Sequence, residues 1–435
     1  MPGDPTKMLA EIEALKESLK GASGKEKARL FEKMGDVYAD AEKVNKAEIC
    51  YKQAMEAGAT GTTITRKYAE ALTFTGQTIK ATQVLDAALA NTTERLDKAL
   101  LYIQRAKLKI NVAEYEEGRK SGELAIEILE KDYSKGRALM DAYADANNIA
   151  GLCLWELGRC EQALKRLDTS AKTYASFNDD KGVGKARANK GLVLYQLGRF
   201  DEAMELYEEA IKLDEKTGGT FNRGHCQNNL GLIRLAQGDL DEAERCFQDG
   251  NKSYSKHGYT RGLHMTELNL MDLYIEKGDM IRASMWAERA LKGFQGLKEE
   301  GRIAWVKTGM ARVQMAKDDL ALAERYATEA VKGAQRAKAR ETEAYALRVL
   351  ALIELKKGDR DRAETLLRRG LEIFRSVDHV FETGRTLKEL AVVLKAKGSL
   401  SEAEKNAAEA RKILTTVGAK LELERLEKDL GGKTG

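Results

Sequence analysis

The sequence lacks the features that mark membrane, secreted and multidomain proteins. No stretch of its 435 residues approaches the roughly 18 apolar residues of a membrane span, and the N-terminus has no apolar secretory core. Stretches rich in proline, glycine and serine, which would mark linkers, are also missing, and the only prolines are Pro2 and Pro5. We therefore expect a cytoplasmic protein without a membrane partner.

Residues that carry metal or catalytic chemistry are few and poorly spaced for it. The four histidines include no His-x-x-x-His pair, and the five cysteines include no Cys-x-x-Cys pair, so reduced cysteines that only pack are expected. Gly182–Lys185 reads Gly-Val-Gly-Lys, but Asp179 and Ala186 stand where a phosphate-binding loop needs glycine and serine or threonine. We predict no metal, no cofactor and no enzymatic activity.

Charge of one sign does not dominate either. The 73 basic and 69 acidic residues leave a net charge of +4, which gives no overall field to attract nucleic acid or an anionic membrane. The sequence therefore predicts a partner that is neither nucleic acid nor lipid.

What the sequence does contain is a strict repeat. Alanines recur every 40 residues at 163, 203, 243, 283, 323, 363 and 403, and glycines keep the same interval at 158, 198, 238, 278, 358 and 398. A fixed period of this length indicates stacked supersecondary structures that cannot bury their apolar faces alone. The function is therefore expected to lie in surface recognition.

Each repeat predicts two helices joined by a turn. Within residues 224–263, Leu230-Gly231 begins an amphipathic run, Gly238-Asp239 interrupts it, and Ala243 and Phe247 belong to a second run. Apolar residues return at steps of three and four on both runs, and glycine suits the left-handed stop between them. No segment alternates apolar and polar residues long enough to predict a strand, so the fold class is all-α.

The residues of the repeat match the pattern of a known repeat type. The first repeat reads Phe31, Met34-Gly35, Tyr38, Ala47, Tyr51 and Ala54, and the chain resembles the tetratricopeptide repeat (TPR) family. The 40-residue form without a closing proline is similar to that of kinesin light chain, the LGN-type adaptors and the bacterial maltose-regulon activator. The resemblance implies a right-handed α-solenoid.

The predicted organisation is one array with a cap at each end. Ten repeats start near residues 28, 62, 99, 144, 184, 224, 264, 304, 344 and 384 within a single solenoid over 28–435. An apolar stripe predicts a capping helix within residues 1–27, for which a coiled-coil or partner-binding helix is the alternative. A second stripe predicts a capping helix over about 420–431.

The resemblance also implies which residues bind. In the family, the second, fifth, sixth, ninth, twelfth and thirteenth residues of each repeat point to the concave face. Asparagines at or next to the sixth position form a column that would hydrogen-bond to an extended peptide: Asn148, Asn189, Asn229 and Asn269. Bonding to a neighbouring helix or to water is the alternative for these amides.

Apolar and charged residues stand beside this column at the second, ninth and twelfth positions. They are Trp155, Leu192, Tyr195, Leu232, Asp272, Trp305 and Arg312. Columns at helical spacing also arise from packing between neighbouring repeats, and that alternative stays open.

Two functions follow as hypotheses. The first is a non-catalytic adaptor or scaffold that holds a peptide or helix of another protein on the concave surface of repeats four to eight. The second is a regulatory sensor that responds to a ligand or peptide within a signalling or transcription complex. Self-association is a further alternative that the sequence leaves open.

Overall fold

The chain is helical wherever the structure describes it. In the computed structural model, residues 5–41, 43–217, 221–256 and 259–431 are described, and these ranges contain 22 α-helices, one short 3₁₀ helix and no strand. The predicted all-α class of helix–turn–helix repeats is confirmed. None of the described helices combines the length and the apolar character that crossing a bilayer requires.

Two compact units divide the chain. Unit 1 contains the residues up to Leu157 and Glu161–Ala186; unit 2 contains Gly158–Cys160, Arg187–Ser255 and the residues from Tyr259 onward. The helices of unit 1 are α1 (Pro5–Leu19), α2 (Gly24–Asp40), α3 (Val44–Glu56), α4 (Thr62–Phe74), α5 (Thr78–Asn91), α6 (Arg95–Asn111), α7 (Tyr115–Leu129), α8 (Arg137–Glu156) and α9 (Cys160–Ser176), with the 3₁₀ helix at Tyr133–Lys135.

The boundary between the units falls within α10 (Asp180–Gln196). The other helices of unit 2 are α11 (Phe200–Thr217), α12 (Phe221–Gln237), α13 (Leu240–Lys256), α14 (Thr260–Glu276), α15 (Met280–Leu297), α16 (Glu300–Ala316), α17 (Leu320–Arg336), α18 (Arg340–Lys357), α19 (Arg360–Ser376), α20 (Val380–Ala396), α21 (Leu400–Thr416) and α22 (Lys420–Leu430). The predicted boundaries, with a cap over 1–27 and one solenoid over 28–435, stay a prediction; residues 1–4 and 432–435 of those ranges lie outside the described residues.

Small residues let the two helices of a repeat pack closely. A Cβ atom added to Gly231 would lie 2.5 Å from the Phe247 ring, and one added to Gly191 would lie 2.5 Å from the Tyr207 ring. Both rings are fully buried, so there is no space for an added methyl group. The repeating small residues thus set the distance between α10 and α11 and between α12 and α13.

The apolar stripes of neighbouring repeats form the core of each unit. In unit 1, buried Tyr68, Leu72 and Leu85 belong to one such cluster. In unit 2, fully buried Phe247 of α13 and Leu273 of α14 share a cluster with residues of two further helices. A single repeat cannot bury these apolar side chains by itself, because their burial comes from contact with the next repeat.

Late helices of unit 2 contact its first helices. The side-chain amide of Gln196, at the end of α10, donates a hydrogen bond to the carbonyl of Val377, at the end of α19. Phe200 at the start of α11 meets Phe381 of α20 edge to face, with 5.9 Å between ring centroids. We call these contacts, with those of α22 against α12 and α14 described below, the closure of unit 2.

Candidate functional site

Ten charged side chains from the first helices of unit 2 form one connected set of ion pairs. Five are acidic and five are basic, so the set is neutral: Asp272, Glu276, Arg312, Arg348, Glu382, Arg385, Lys388, Glu389, Glu422 and Arg425. They lie on α14, α16, α18, α20 and α22, and several recur at 40-residue spacing, which places them on one face of successive first helices. We call this set the ion-pair network.

Arg312 organises one end of the network. Its Nη1 donates to Asp272 Oδ1 at 3.1 Å and to the hydroxyl of Tyr345 at 2.8 Å, and its Nη2 donates to Glu276 Oε1 at 2.6 Å. The indole N–H of Trp305 donates to the other oxygen of Asp272 at 3.2 Å. The rings of Trp305 and Tyr345 lie beside these bonds with centroids 5.4 Å apart. Residues from the first helices of three successive repeats therefore fix one guanidinium between two carboxylates and two aromatic rings.

Glu422 organises the other end. Its Oε1 lies 3.1 Å from Arg385 Nε, and its Oε2 accepts from Lys388 Nζ at 2.7 Å. Arg425, one turn further along α22, donates to Glu276 Oε2 at 2.8 Å. Glu276 thus joins the two ends, because Arg312 and Arg425 bind its two oxygens separately.

Burial makes these ion pairs sensitive to the loss of a partner. The side chains of Arg348 and Lys388 are 4% exposed and that of Glu422 is 5% exposed, whereas Arg425 is 36% exposed. Burial alone would raise the pKa of Glu276, but Arg312, Arg385 and Arg425 outweigh it and lower that pKa to about 2. Burial raises the pKa of Asp272, and Arg312 only partly offsets it. Of the two carboxylates that bind Arg312, Asp272 is therefore the one whose charged form is less stabilised.

The paired charges of the network suit recognition of a charged segment. The charged groups already have opposite charges as neighbours, and no nucleophile is paired with a base among them. Within the ranges that the structure describes, no group of three or more His, Cys, Asp or Glu side chains could hold a metal ion. A binding segment can enter such a surface by exchanging one ion pair for another and by packing on the aromatic rings.

Three of the predicted binding residues come together at this site. Asp272, Trp305 and Arg312 form the hydrogen-bonded group described above. Burial raises the pKa of Tyr195, and the charge of Glu382, a member of the network, raises it further. Its ring meets that of His379 edge to face, with centroids 6.0 Å apart, at the closure.

The asparagine column is not a continuous surface. Asn148 and Asn269 are only 1% and 3% exposed, so the prediction that their amides face a ligand needs correcting: packing between helices covers them. The Nδ2 of Asn269 has no hydrogen-bond partner among the described residues. Asn189 and Asn229 are half-buried and keep an exposed part, and a role for them in binding stays a prediction.

The predicted apolar residues lie among packing contacts. Leu232 packs against the cluster that contains Phe247, as the packing alternative allows, and Leu192 is half-buried. Trp155 is in unit 1, where its buried indole N–H has no hydrogen-bond partner within the described ranges. A role for these three side chains in binding stays a prediction.

Several members of the network were not predicted, although a signal for most of them was present. Tyr345 and Arg385 stand at the second position of repeats nine and ten, and Arg348 and Lys388 stand at the fifth. Extending the inward positions beyond repeat eight would have found them. Glu422 has no such signal, because its partners depend on where the last helix packs.

The chain matches two models of known families. A model described as the MalT-like TPR region matches residues 184–419, and a tetratricopeptide repeat model matches residues 142–216. None of the curated proteins compared with the chain matches it in sequence.

Solved structures of other proteins share the fold. A Rap protein complexed with Competence and Sporulation Factor is 13% identical, with a TM-score of 0.59 over 81% of this chain and 99% of that one. The apo form of the quorum sensor NprR from B. thuringiensis is 12% identical, with a TM-score of 0.52 over 85% of this chain and 99% of that one. At these identities the similarity concerns the fold alone.

Proposed function

The chain belongs to the family of proteins with a MalT-like tetratricopeptide repeat region, and from this premise we propose that it is a non-catalytic scaffold for a partner protein. It binds a peptide or helix of that partner on the concave surface of the first helices in repeats four to eight. The centre of this surface is the group formed by Asp272, Trp305 and Arg312.

One observation carries the proposal: aromatic rings and buried, paired charges occur together on the first helices. Half-buried Trp305 offers flat apolar contact to a partner, and buried Tyr345 packs beside it. The polar atoms of both rings are already oriented by Asp272 and Arg312. Aromatic and arginine side chains of this kind dominate the binding energy at protein interfaces. The oriented rings lower the entropy lost on binding, because they are fixed before the partner arrives.

The related folds support a binding role for this chain. The Rap structure holds Competence and Sporulation Factor, and NprR is named as a quorum sensor. Both are helical-repeat chains that this protein matches over more than four fifths of its length. We favour a peptide or helix of a partner over a small metabolite, because the aromatic and arginine side chains described above suit a protein segment.

A second candidate function is a sensor that changes conformation when it binds. The closure favours it, because Gln196 and Val377 are 181 residues apart in sequence yet bonded. A ligand that moves the first helices apart would strain the contact between these two distant repeats. Binding and release of the closure would then be coupled.

Affinity capture followed by mass spectrometry tests the scaffold. The test variant carries Trp305→Phe, Asn189→Ala and Asn229→Ala, and the matched control carries Trp286→Phe, the same ring change on a second helix, α15. We expect partners retained by wild type and control but lost from the test variant. An identical partner set from all three proteins would contradict binding on this surface.

The same proteins separate scaffold from sensor. A scaffold retains its partner through washing, whereas a sensor shows a rise in melting temperature with a short peptide and retains no protein. The rise follows from preferential binding to the folded state.

A further inference from the structure

The last described helix, α22, is seated on unit 2 by a few specific contacts. Glu422 is held by Arg385 and Lys388, and Arg425 is held by Glu276. Leu426 has no exposed surface, and a Cβ atom added to Gly238 of the α12–α13 turn would lie 3.1 Å from Leu421. The helix therefore bridges α20 on one side and α12 and α14 on the other.

The contacts of α22 follow a sequence pattern that occurs twice. Arg425 Nη1 lies 3.2 Å from Glu422 Oε1, and Arg385 Nη1 lies 3.2 Å from Glu382 Oε1, with the arginine three positions after the glutamate in each case. The two pairs are 40 residues apart. The face of α20 thus receives a helix that carries an acidic residue and an arginine three positions later.

The helix depends on this seat for its structure. It has 11 residues, and helices shorter than about 12 residues are marginal in isolation. It follows a turn in which Gly418 has φ of 71°, and its own N-cap residue, Ala419, makes no capping bond from its side chain. Losing the contacts of Glu422 and Leu426 should therefore release it from the rest of unit 2.

The charged side chains that α22 contacts determine which kind of segment could replace this helix. Without α22, Arg385 and Lys388 lose a carboxylate, while Glu276 loses one of its guanidinium partners. A polyanion would satisfy the first requirement and be repelled by Glu276. A helix with both signs at the right spacing satisfies both.

We propose that the seat of α22 is a docking site for a partner helix with an acidic residue, an arginine three positions later and a leucine directly after it. That helix displaces α22 and takes over its contacts with Arg385, Lys388 and Glu276. The inference rests on the proposed function, since it assumes that the partner binds the first-helix face, and it names the chemistry of the partner.

The probe for this proposal is a labelled peptide with the sequence of residues 417–431, titrated into the full chain and followed by fluorescence anisotropy. In wild type, the attached α22 competes at an effective concentration of about millimolar, so the peptide binds weakly. A Glu422→Gln, Leu426→Ala chain should bind the peptide at least about 10-fold more tightly, because its own helix competes poorly. Glu424→Gln is the matched control, since Glu424 is exposed on the same helix, and it should behave as wild type.

The peptide itself provides the second control. A peptide with the changes equivalent to Glu422→Gln and Leu426→Ala should bind neither chain. Equal affinity of the unmodified peptide for wild type and the double variant, with both folded by circular dichroism, would overturn the proposal. So would a dimer of the double variant that excludes the peptide, since a second copy would then be the occupant.

Hydrogen exchange keeps the test valid if the double variant does not fold. In wild type, excess peptide should speed exchange of the α22 amides while those of α18 stay protected, and no change in α22 would overturn the proposal. The outcomes also separate the two proposals. Partner loss in the variant with Trp305→Phe, Asn189→Ala and Asn229→Ala, without any response of α22, would support the scaffold and overturn only the displacement.

Discussion

Replacing Arg312 with methionine should destabilise unit 2 by more than any surface substitution. The guanidinium is 14% exposed and binds Asp272, Glu276 and Tyr345 at once. Methionine keeps much of the length and apolar volume but removes the charge, so two buried carboxylates lose a partner. Removing one member of a buried ion pair typically costs about 3–5 kcal/mol.

The structure gives an independent estimate of the same magnitude. The pKa of Glu276 is lowered from its usual 4.5 to about 2, and at 1.36 kcal/mol per pKa unit this difference is worth about 3 kcal/mol. Arg312 is the largest of the three favourable contributions, so we assign it roughly half. The lost bond to Tyr345 and the uncompensated Asp272 add about 1–3 kcal/mol each. These contributions sum to about 4–8 kcal/mol at pH 7, which overlaps the upper part of the range for a broken buried ion pair.

The loss should depend on pH in a definite direction. Because the folded-state pKa of Glu276 lies below its unfolded value, its stabilisation is fully present above pH 4.5 and is lost as the pH falls towards 2. Much of that stabilisation is already gone in the variant. The difference between wild type and Arg312→Met should therefore be largest near neutral pH and should narrow below pH 4.5.

Urea unfolding measures both expectations, with tryptophan fluorescence reporting on Trp305 beside the substitution. Asp272→Asn is the companion variant: burial already raises the pKa of Asp272, and asparagine still accepts from Trp305. Alone it should cost less than Arg312→Met, and added to Arg312→Met it should restore about 1 kcal/mol. A loss from Arg312→Met below about 1 kcal/mol, or a difference from wild type that stays constant between pH 7 and pH 3, would refute the reasoning.

Two further predictions concern the closure and a buried histidine. Gly198→Ala places a Cβ atom 2.6 Å from Val417, whereas Gly398→Ala meets no atom within 4 Å, and both glycines have positive φ. Thermal unfolding should show about 1–2 kcal/mol of destabilisation for Gly398→Ala and at least about 1 kcal/mol more for Gly198→Ala. Equal losses would contradict close packing of Gly198 against Val417. Burial lowers the pKa of His225 from 6.5 to about 4, so wild type should lose up to about 3 kcal/mol as the pH falls from 6.5 to 4. His225→Gln should remove this part of the pH dependence, and identical pH profiles of unfolding free energy for the two proteins would contradict it.

Part of the site was accessible from sequence because repetition fixes position. Asp272 and Arg312 both occupy the ninth place of their repeats, and the structure joins them at 3.1 Å. The same reasoning failed for Asn269, which occupies the sixth place but is 3% exposed. A register position states which way a side chain points along its own helix. It does not state how closely the next repeat approaches, and that distance decides whether the side chain is exposed.

The sequence by itself determined the all-α class, the two-helix repeat and the positions at which small residues permit close packing. These are local properties, since a 40-residue period and a 3.6-residue stripe depend on near neighbours in the chain. Only the tertiary structure decided that Arg425 pairs with Glu276, 149 residues earlier, and that Glu422 is enclosed by Arg385 and Lys388. Small rotations between successive repeats add up over several helices. Their sum determines where α22 contacts the earlier helices of unit 2, and no single repeat encodes that sum.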